Sequence, residues 1–143
     1  MIDFKLKQPQ PLRIVDYHIE MLSVGAADCF IIYYTDSKGC NKLILVDAGN
    51  YKDGQNIINH VRKYYSNPII DLAIVTHPDA DHFGGFVKML EKINVAFEVF
   101  NENSRRERNR NLLKKVNERL LKKGIRKISM RTLKRYKSLF YQR

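Results

Sequence analysis

The segment IIDLAIVT, residues 69–76, constrains this chain more than any other because of what it runs into. Seven of its eight residues carry no charge, and β-branched side chains dominate. It is too short for a helix and too apolar for a solvated strand, so it predicts a strand buried on both faces. It leads without a linker into HPDADH, residues 77–82, which place two histidines and two aspartates in six positions. Gly84 and Gly85 then open a helical pattern of Phe86, Val87, Leu90 and Ile93. A strand that ends in a polar turn and re-enters a helix puts that turn at the carboxyl edge of a sheet, where ligand sites concentrate.

The flanking sequence supplies the rest of a layered fold. IVDYHIEML (14–22) alternates, with Val15, Tyr17, Ile19 and Met21 facing one way, and CFIIYY (29–34) and KLILVD (42–47) read as strands around the polar turn TDSKGCN. QNIINHVRKYYS sets Ile57, Ile58, Val61, Tyr64 and Tyr65 on one helical face. VAFEVF (95–100) reads as a fifth strand. Leu112, Leu113, Val116, Leu120 and Leu121 mark a further helix, closed by Gly124, with IRKISM a short strand beyond it and a last short helix over RTLKRYKSLFYQR. This order predicts an α/β layered fold: a mixed sheet with helices packed on it.

Imidazole nitrogens and carboxylate oxygens are ligands for zinc, iron or manganese. If the turn stays extended, His77, Asp79 and Asp81 point to one side and His82 crosses over. One ion could then take His77 and Asp79, and a second Asp81 and His82. Two ions so placed can activate a water for hydrolysis. The competing reading is an acidic helix N-terminus, with Asp79 or Asp81 as cap. Four candidate ligands between a strand and a double glycine favour the metal reading. His18 and His60 fall within predicted elements and read as structural or surface residues, and Cys29 as a small buried hydrophobe.

THPDADHFGG resembles the His-x-His-x-Asp-His signature of the metallo-β-lactamase superfamily. The aspartate at its second ligand position and the following Phe-Gly-Gly are similar to the branch containing the hydrolase domain of the DNA-uptake competence protein. IEMLSVGAADCFII and LILVDAGN resemble that branch's opening strands, and the likeness runs from about His18 to Phe100. It implies an αββα fold and a metal-dependent hydrolase that uses one or two zinc or manganese ions. The ligands would be His77, Asp79, Asp81 and His82, with Asp81 also handling the attacking water. Asp47 would support the loop from a buried position, and Asp28 would lie near it. Ala27 stands where the branch has glycine. The family site also takes later histidines and a bridging carboxylate, but this chain has no histidine after His82 and no aspartate after Asp81. The resemblance therefore reads as the N-terminal half of such a domain: a truncated product, a fragment, or a half-domain completed by a second chain.

Charge divides the chain. Residues 1–100 hold 10 Lys+Arg against 12 Asp+Glu, and residues 101–143 hold 16 against 3. The expected organisation is a near-neutral body over 1–100 and a basic helical extension over 101–143. Residues 105–143 invite nucleic acid, with Tyr136, Phe140 and Tyr141 as stacking groups. The same cations also suit the solvated face of an amphipathic helix. Two functions therefore stand side by side: a phosphodiester-directed metallohydrolase, weak or inactive as this chain, and a non-catalytic half-domain that binds nucleic acid or a protein partner through its basic segment. No apolar run is long enough to span a bilayer, the first residues show no secretory pattern, and two cysteines make no framework, so a reduced, cytoplasmic protein without a membrane partner is expected.

Overall fold

A computed structural model describes residues 13–66, 68–100 and 107–129. Six strands form one sheet in sequence order: β1 (Ile14–Met21), β2 (Phe30–Asp36), β3 (Asn41–Val46), β4 (Ile69–Val75), β5 (Asn94–Phe100) and β6 (Arg126–Ser129). The first three make an antiparallel meander, and β3 to β6 run parallel. Asp36 closes the β2–β3 hairpin by accepting the Lys38 and Cys40 amides. Each parallel step needs a crossover, which helices α1 (Gly54–Tyr64), α2 (Ala80–Met89) and α3 (Glu107–Lys122) supply.

The helices lie side by side on one face of the sheet, with α2 between its neighbours. Phe83, Phe86, Val87, Met89, Leu90 and Ile93 are all buried, as a helix flanked on both sides above a sheet requires. They share one core with Ile31, Leu45, Ala73 and Val75 from the sheet, Ile57, Ile58 and Val61 from α1, and Leu113, Val116 and Leu120 from α3. Residues 107–129 thus continue the same α/β layer, and the charge boundary near residue 101 is not a packing boundary. Gly124 adopts φ 63° just past α3. The Gly124 amide bonds Leu121 O and the Ile125 amide bonds Leu120 O, the paired bonds of a Schellman helix end.

Several expectations need correction. Tyr64 and Leu121 are exposed, because the stripes narrow to Ile57, Ile58, Val61 and Tyr65 in α1 and to Leu113, Val116 and Leu120 in α3. The strand at 69–76 is not buried on both faces: Ile69 is exposed, and Leu72 and Ile74 are half-buried. The reason is that no layer covers the second face of the sheet among the described residues. On that face Val15, Tyr17, Ile19 and Met21 all point outward, Met21 with 76% of its surface exposed. The last predicted helix, with Tyr136, Phe140 and Tyr141, lies outside the described residues.

The covered side of β1 is held by a polar cluster. Tyr65 donates its hydroxyl proton to Glu20 Oε1 at 2.8 Å, His60 Nε2 meets Glu20 Oε2 at 2.5 Å, and His18 Nε2 lies 3.1 Å from Glu20 Oε1. Burial acts to raise the Glu20 carboxyl, but the bonds from Tyr65 and His60 outweigh it and hold the group below its ordinary value. His18 and His60 thus tie an edge strand to α1.

Candidate metal centre

Three turns meet at the carboxyl end of β3 and β4: residues 22–29, 47–50 and 76–81. Backbone bonds lace them together. The Gly49 amide bonds Asp28 O at 2.9 Å, the Ala48 amide bonds His82 O at 2.6 Å, and the Asp28 amide reaches Asp81 O at 3.4 Å. Ala27 packs against the core with ordinary backbone, so its methyl group is accommodated where a glycine was expected.

The helix begins earlier than the double glycine implied. Asp79 is the N-cap of α2, in extended backbone at φ −91° and ψ 146°, and Ala80 is already helical. The extended alternation of His77, Asp79 and Asp81 is therefore broken: His77 ends the strand side, while Asp81 and His82 ride the first helical turn. Pro78 explains this, since it holds His77 out of helical backbone and lets the chain turn only afterwards. The two glycines sit mid-helix. A Cβ on Gly84 would lie 2.7 Å from the Tyr51 amide nitrogen, and one on Gly85 would collide with Ala48 O. Their smallness lets α2 rest directly on the 48–51 turn.

Asp47 is the buried centre of the arrangement, 3% exposed, with its backbone at φ 58°. Only here among the described non-glycine residues is φ positive, a conformation costing about 1–3 kcal/mol that surrounding bonds must hold. Asp47 Oδ1 accepts the Thr76 amide at 2.9 Å, and Oδ2 accepts the Thr76 hydroxyl at 2.6 Å and His82 Nδ1 at 3.0 Å. Asp28, half-exposed, brings its Oδ2 to 3.5 Å from the same His82 nitrogen.

These bonds fix two imidazole tautomers. The Thr76 hydroxyl has one proton and gives it to Asp47, so toward His77 Nδ1, 3.0 Å away, it can only accept. His77 therefore carries its proton on Nδ1, and so does His82 against Asp47. In the neutral form of each ring Nε2 is the lone-pair nitrogen, the ligand form of histidine whose other nitrogen is held by a supporting group. The rings lie 3.6 Å apart between centroids. His82 Nε2 is 3.6 Å from Asp81 Oδ2. Two donors on one tetrahedral zinc at ordinary bond lengths sit roughly 3.3–3.6 Å apart, so this pair has the spacing of shared ligands. The donor chemistry fits a divalent ion. The count stops short of a closed site: no three His, Cys, Asp or Glu side chains among the described residues surround one point in a metal-holding arrangement.

Thr76 was missed from sequence, although its place directly before His77 was the available signal. Asp53, buried and accepting the Asn50 amide at 2.8 Å, was missed as well; it braces the 3₁₀ turn Tyr51–Asp53 that carries Tyr51 beside α2. Cys29 is fully buried. Burial pushes its thiol up to about 12, with Asp47 and Asp53 adding to the effect, so it offers no thiolate to this end of the sheet. None of the described helices is long and apolar enough to cross a membrane.

A family model for the metallo-beta-lactamase superfamily matches residues 22–113, a span that contains all three turns. No curated protein matches the chain.

Proposed function

The chain belongs to the metallo-beta-lactamase superfamily, and from that premise we propose that it is a metal-dependent hydrolase directed at phosphodiesters, with His77, Asp79, Asp81 and His82 as the residues that would hold zinc or manganese. The observation that carries this reading is the pair of histidines whose Nδ1 atoms are held by Thr76 and Asp47, which leaves Nε2 of each ring as the nitrogen to offer an ion. A bound ion there would supply an activated water and a Lewis acid for the phosphoryl oxygen. Asp47 holds His82 and, through Thr76, His77. Asp81, a half-exposed carboxylate whose Oδ2 lies 3.6 Å from His82 Nε2, would orient the attacking water and accept its proton. The phosphodiester direction rests on the basic charge of residues 101–143 and on the Phe-Gly-Gly that follows the motif, a likeness to the competence-type branch.

Loop donors in pairs bind weakly, because affinity rises with a closed, supported ligand set. Calorimetry with zinc or manganese should show weak binding that His77→Ala combined with His82→Ala removes. Absence of binding at millimolar metal would reject the ligand assignment. Turnover of a simple phosphodiester should be slow and should vanish in Asp81→Asn.

The apolar sheet face that no layer covers among the described residues favours a second reading. The 143 residues are then a half-sandwich whose open sheet is covered by a second chain, and that chain supplies the missing donors. Robust, Asp81-dependent turnover by a proven monomer would remove this reading.

A further inference from the structure

Beside the candidate metal loop, the 3₁₀ turn at Tyr51–Asp53 and helix α3 border an open cleft of about 840 Å³ that begins at Ala80 and Gly84 in the first turns of α2. A second cavity of about 510 Å³ continues it along α3 as far as Lys122. The two share Tyr51, Leu112 and Lys115, so they form one groove. From Asn111 to Lys122 the helix rises roughly 16 Å. Tyr51 lines both cavities and is 54% exposed. An exposed aromatic residue lining a groove together with the half-buried Leu112 offers a flat apolar surface to a flat ligand.

The groove's charge points the same way. Lys52, Lys115 and Lys122 line it, and none of them forms an ion pair among the described residues. Arg119 is already committed, to the Glu91 carboxylate and the Val87 carbonyl. Glu107 lies at the end nearest the start of α3 and Glu118 lies between Lys115 and Lys122, so three lysines face two carboxylates, and Lys52 and Lys115 line the same cavity as Tyr51. Sequence offered two readings of these cations, a nucleic-acid contact or the solvated face of an amphipathic helix. In the structure Leu113, Val116 and Leu120 lie in the core, and Lys115 and Lys122 line the groove.

We infer that this groove binds single-stranded nucleic acid, with a base stacked on Tyr51 and phosphates beside Lys52, Lys115 and Lys122, and that it leads the strand to the loop at His77–His82. A ring inside a groove of this size is open to an unstacked base and closed to a duplex, whose bases already stack on one another. The inference deepens the phosphodiester reading by naming its substrate form, but the binding itself requires neither an ion nor hydrolysis.

The test is fluorescence anisotropy of the full chain with a labelled short oligothymidylate in EDTA, with the corresponding duplex as competitor. The single strand should bind more tightly than the duplex. Tyr51→Ala should weaken it roughly tenfold, and Tyr51→Phe should restore it, since stacking and not the hydroxyl is at work. Because three lysines are engaged, log K should fall with log salt at a slope of about −2, and Lys115→Gln should reduce that slope by about 0.7. Lys115 is exposed, so this variant probes the groove even where a Tyr51 variant is poorly folded. Equal binding by Tyr51→Ala and Lys115→Gln, or a preference for duplex, would overturn the groove and place any affinity elsewhere in the basic segment. Tyr51-dependent binding without hydrolysis in manganese would support the groove while telling against the hydrolase reading.

Discussion

The two faces of the sheet are built from the same kinds of side chain and live in different worlds. One face meets three helices, and Ile31, Leu45, Ala73 and Val75 on it are buried. The other carries Tyr17, Ile19 and Met21, which are exposed, and Ile32, Ile44 and Ile74, which are half-buried, yet it is just as apolar. Polar chemistry is unequal too. The Glu20 cluster, Asp47 and His82 all lie on the helix side or at its carboxyl edge. A strand's alternation reveals that both faces are apolar, but only the partner layer decides which of them becomes a core.

The covered face should dominate stability. Phe83 is fully buried between the sheet and its helix neighbours, and Phe83→Ala should cost about 3–5 kcal/mol, read as a lowered urea midpoint. A smaller, more local loss is expected at Asp47. Removing its carboxylate in Asp47→Ala strands the Thr76 amide, the Thr76 hydroxyl and the His82 ring nitrogen. That change should cost about 2–4 kcal/mol. Asp47→Gly should cost less, because glycine adopts φ 58° freely. If the two variants are equally unstable, the backbone at Asp47 stores no strain.

The Glu20 cluster comes next and carries a pH signature. Its carboxyl is held below the ordinary value, so its contribution is fully present above about pH 4.5 and is lost as pH falls through the lower folded value. Glu20→Gln should remove roughly 1 kcal/mol at neutral pH. It should also flatten the loss of stability on the acid side, measured by urea titrations across that range. An unchanged acid limb in Glu20→Gln would mean that β1 is seated by something other than this cluster.

Much of this was legible beforehand. The succession of strands and helices along the chain, Ile57, Ile58, Val61 and Tyr65 near α1, the α2 core residues and the Gly124 helix stop all follow from periodicity and backbone chemistry, which are local. What failed needed knowledge of neighbours. The start of α2 was read from Gly84 and Gly85, but those glycines answer to the Ala48 and Tyr51 backbone across from them, and the start lies at Ala80 behind Pro78. Charge alone marks residue 101, and it does not reveal that Val116 and Leu120 carry α3 into the common core. The pairing of Thr76 with Asp47, 29 positions earlier, has no local signal beyond their positions at the ends of two strands. Tyr51 gave none, since its place between two cavities depends on where α3 packs.

The smallest expected effect is the one that tests the comparison most directly. Met21→Ser removes an apolar side chain from the bare face at 76% exposure, so folding buries little of it and little transfer energy is forfeited. The urea midpoint should shift by no more than about 0.5 kcal/mol, the range of surface substitutions away from special features. A change at Ile19 should behave alike, being on the same strand face and similarly exposed. Exposed apolar patches of this extent mark association sites or aggregation hazards. The second readout is therefore sedimentation at several protein concentrations, where Met21→Ser with Ile19→Ser should reduce self-association. Should the double variant instead lose stability on the scale of Phe83→Ala, the face is already covered in the folded protein, and the contrast between the two faces collapses into two cores.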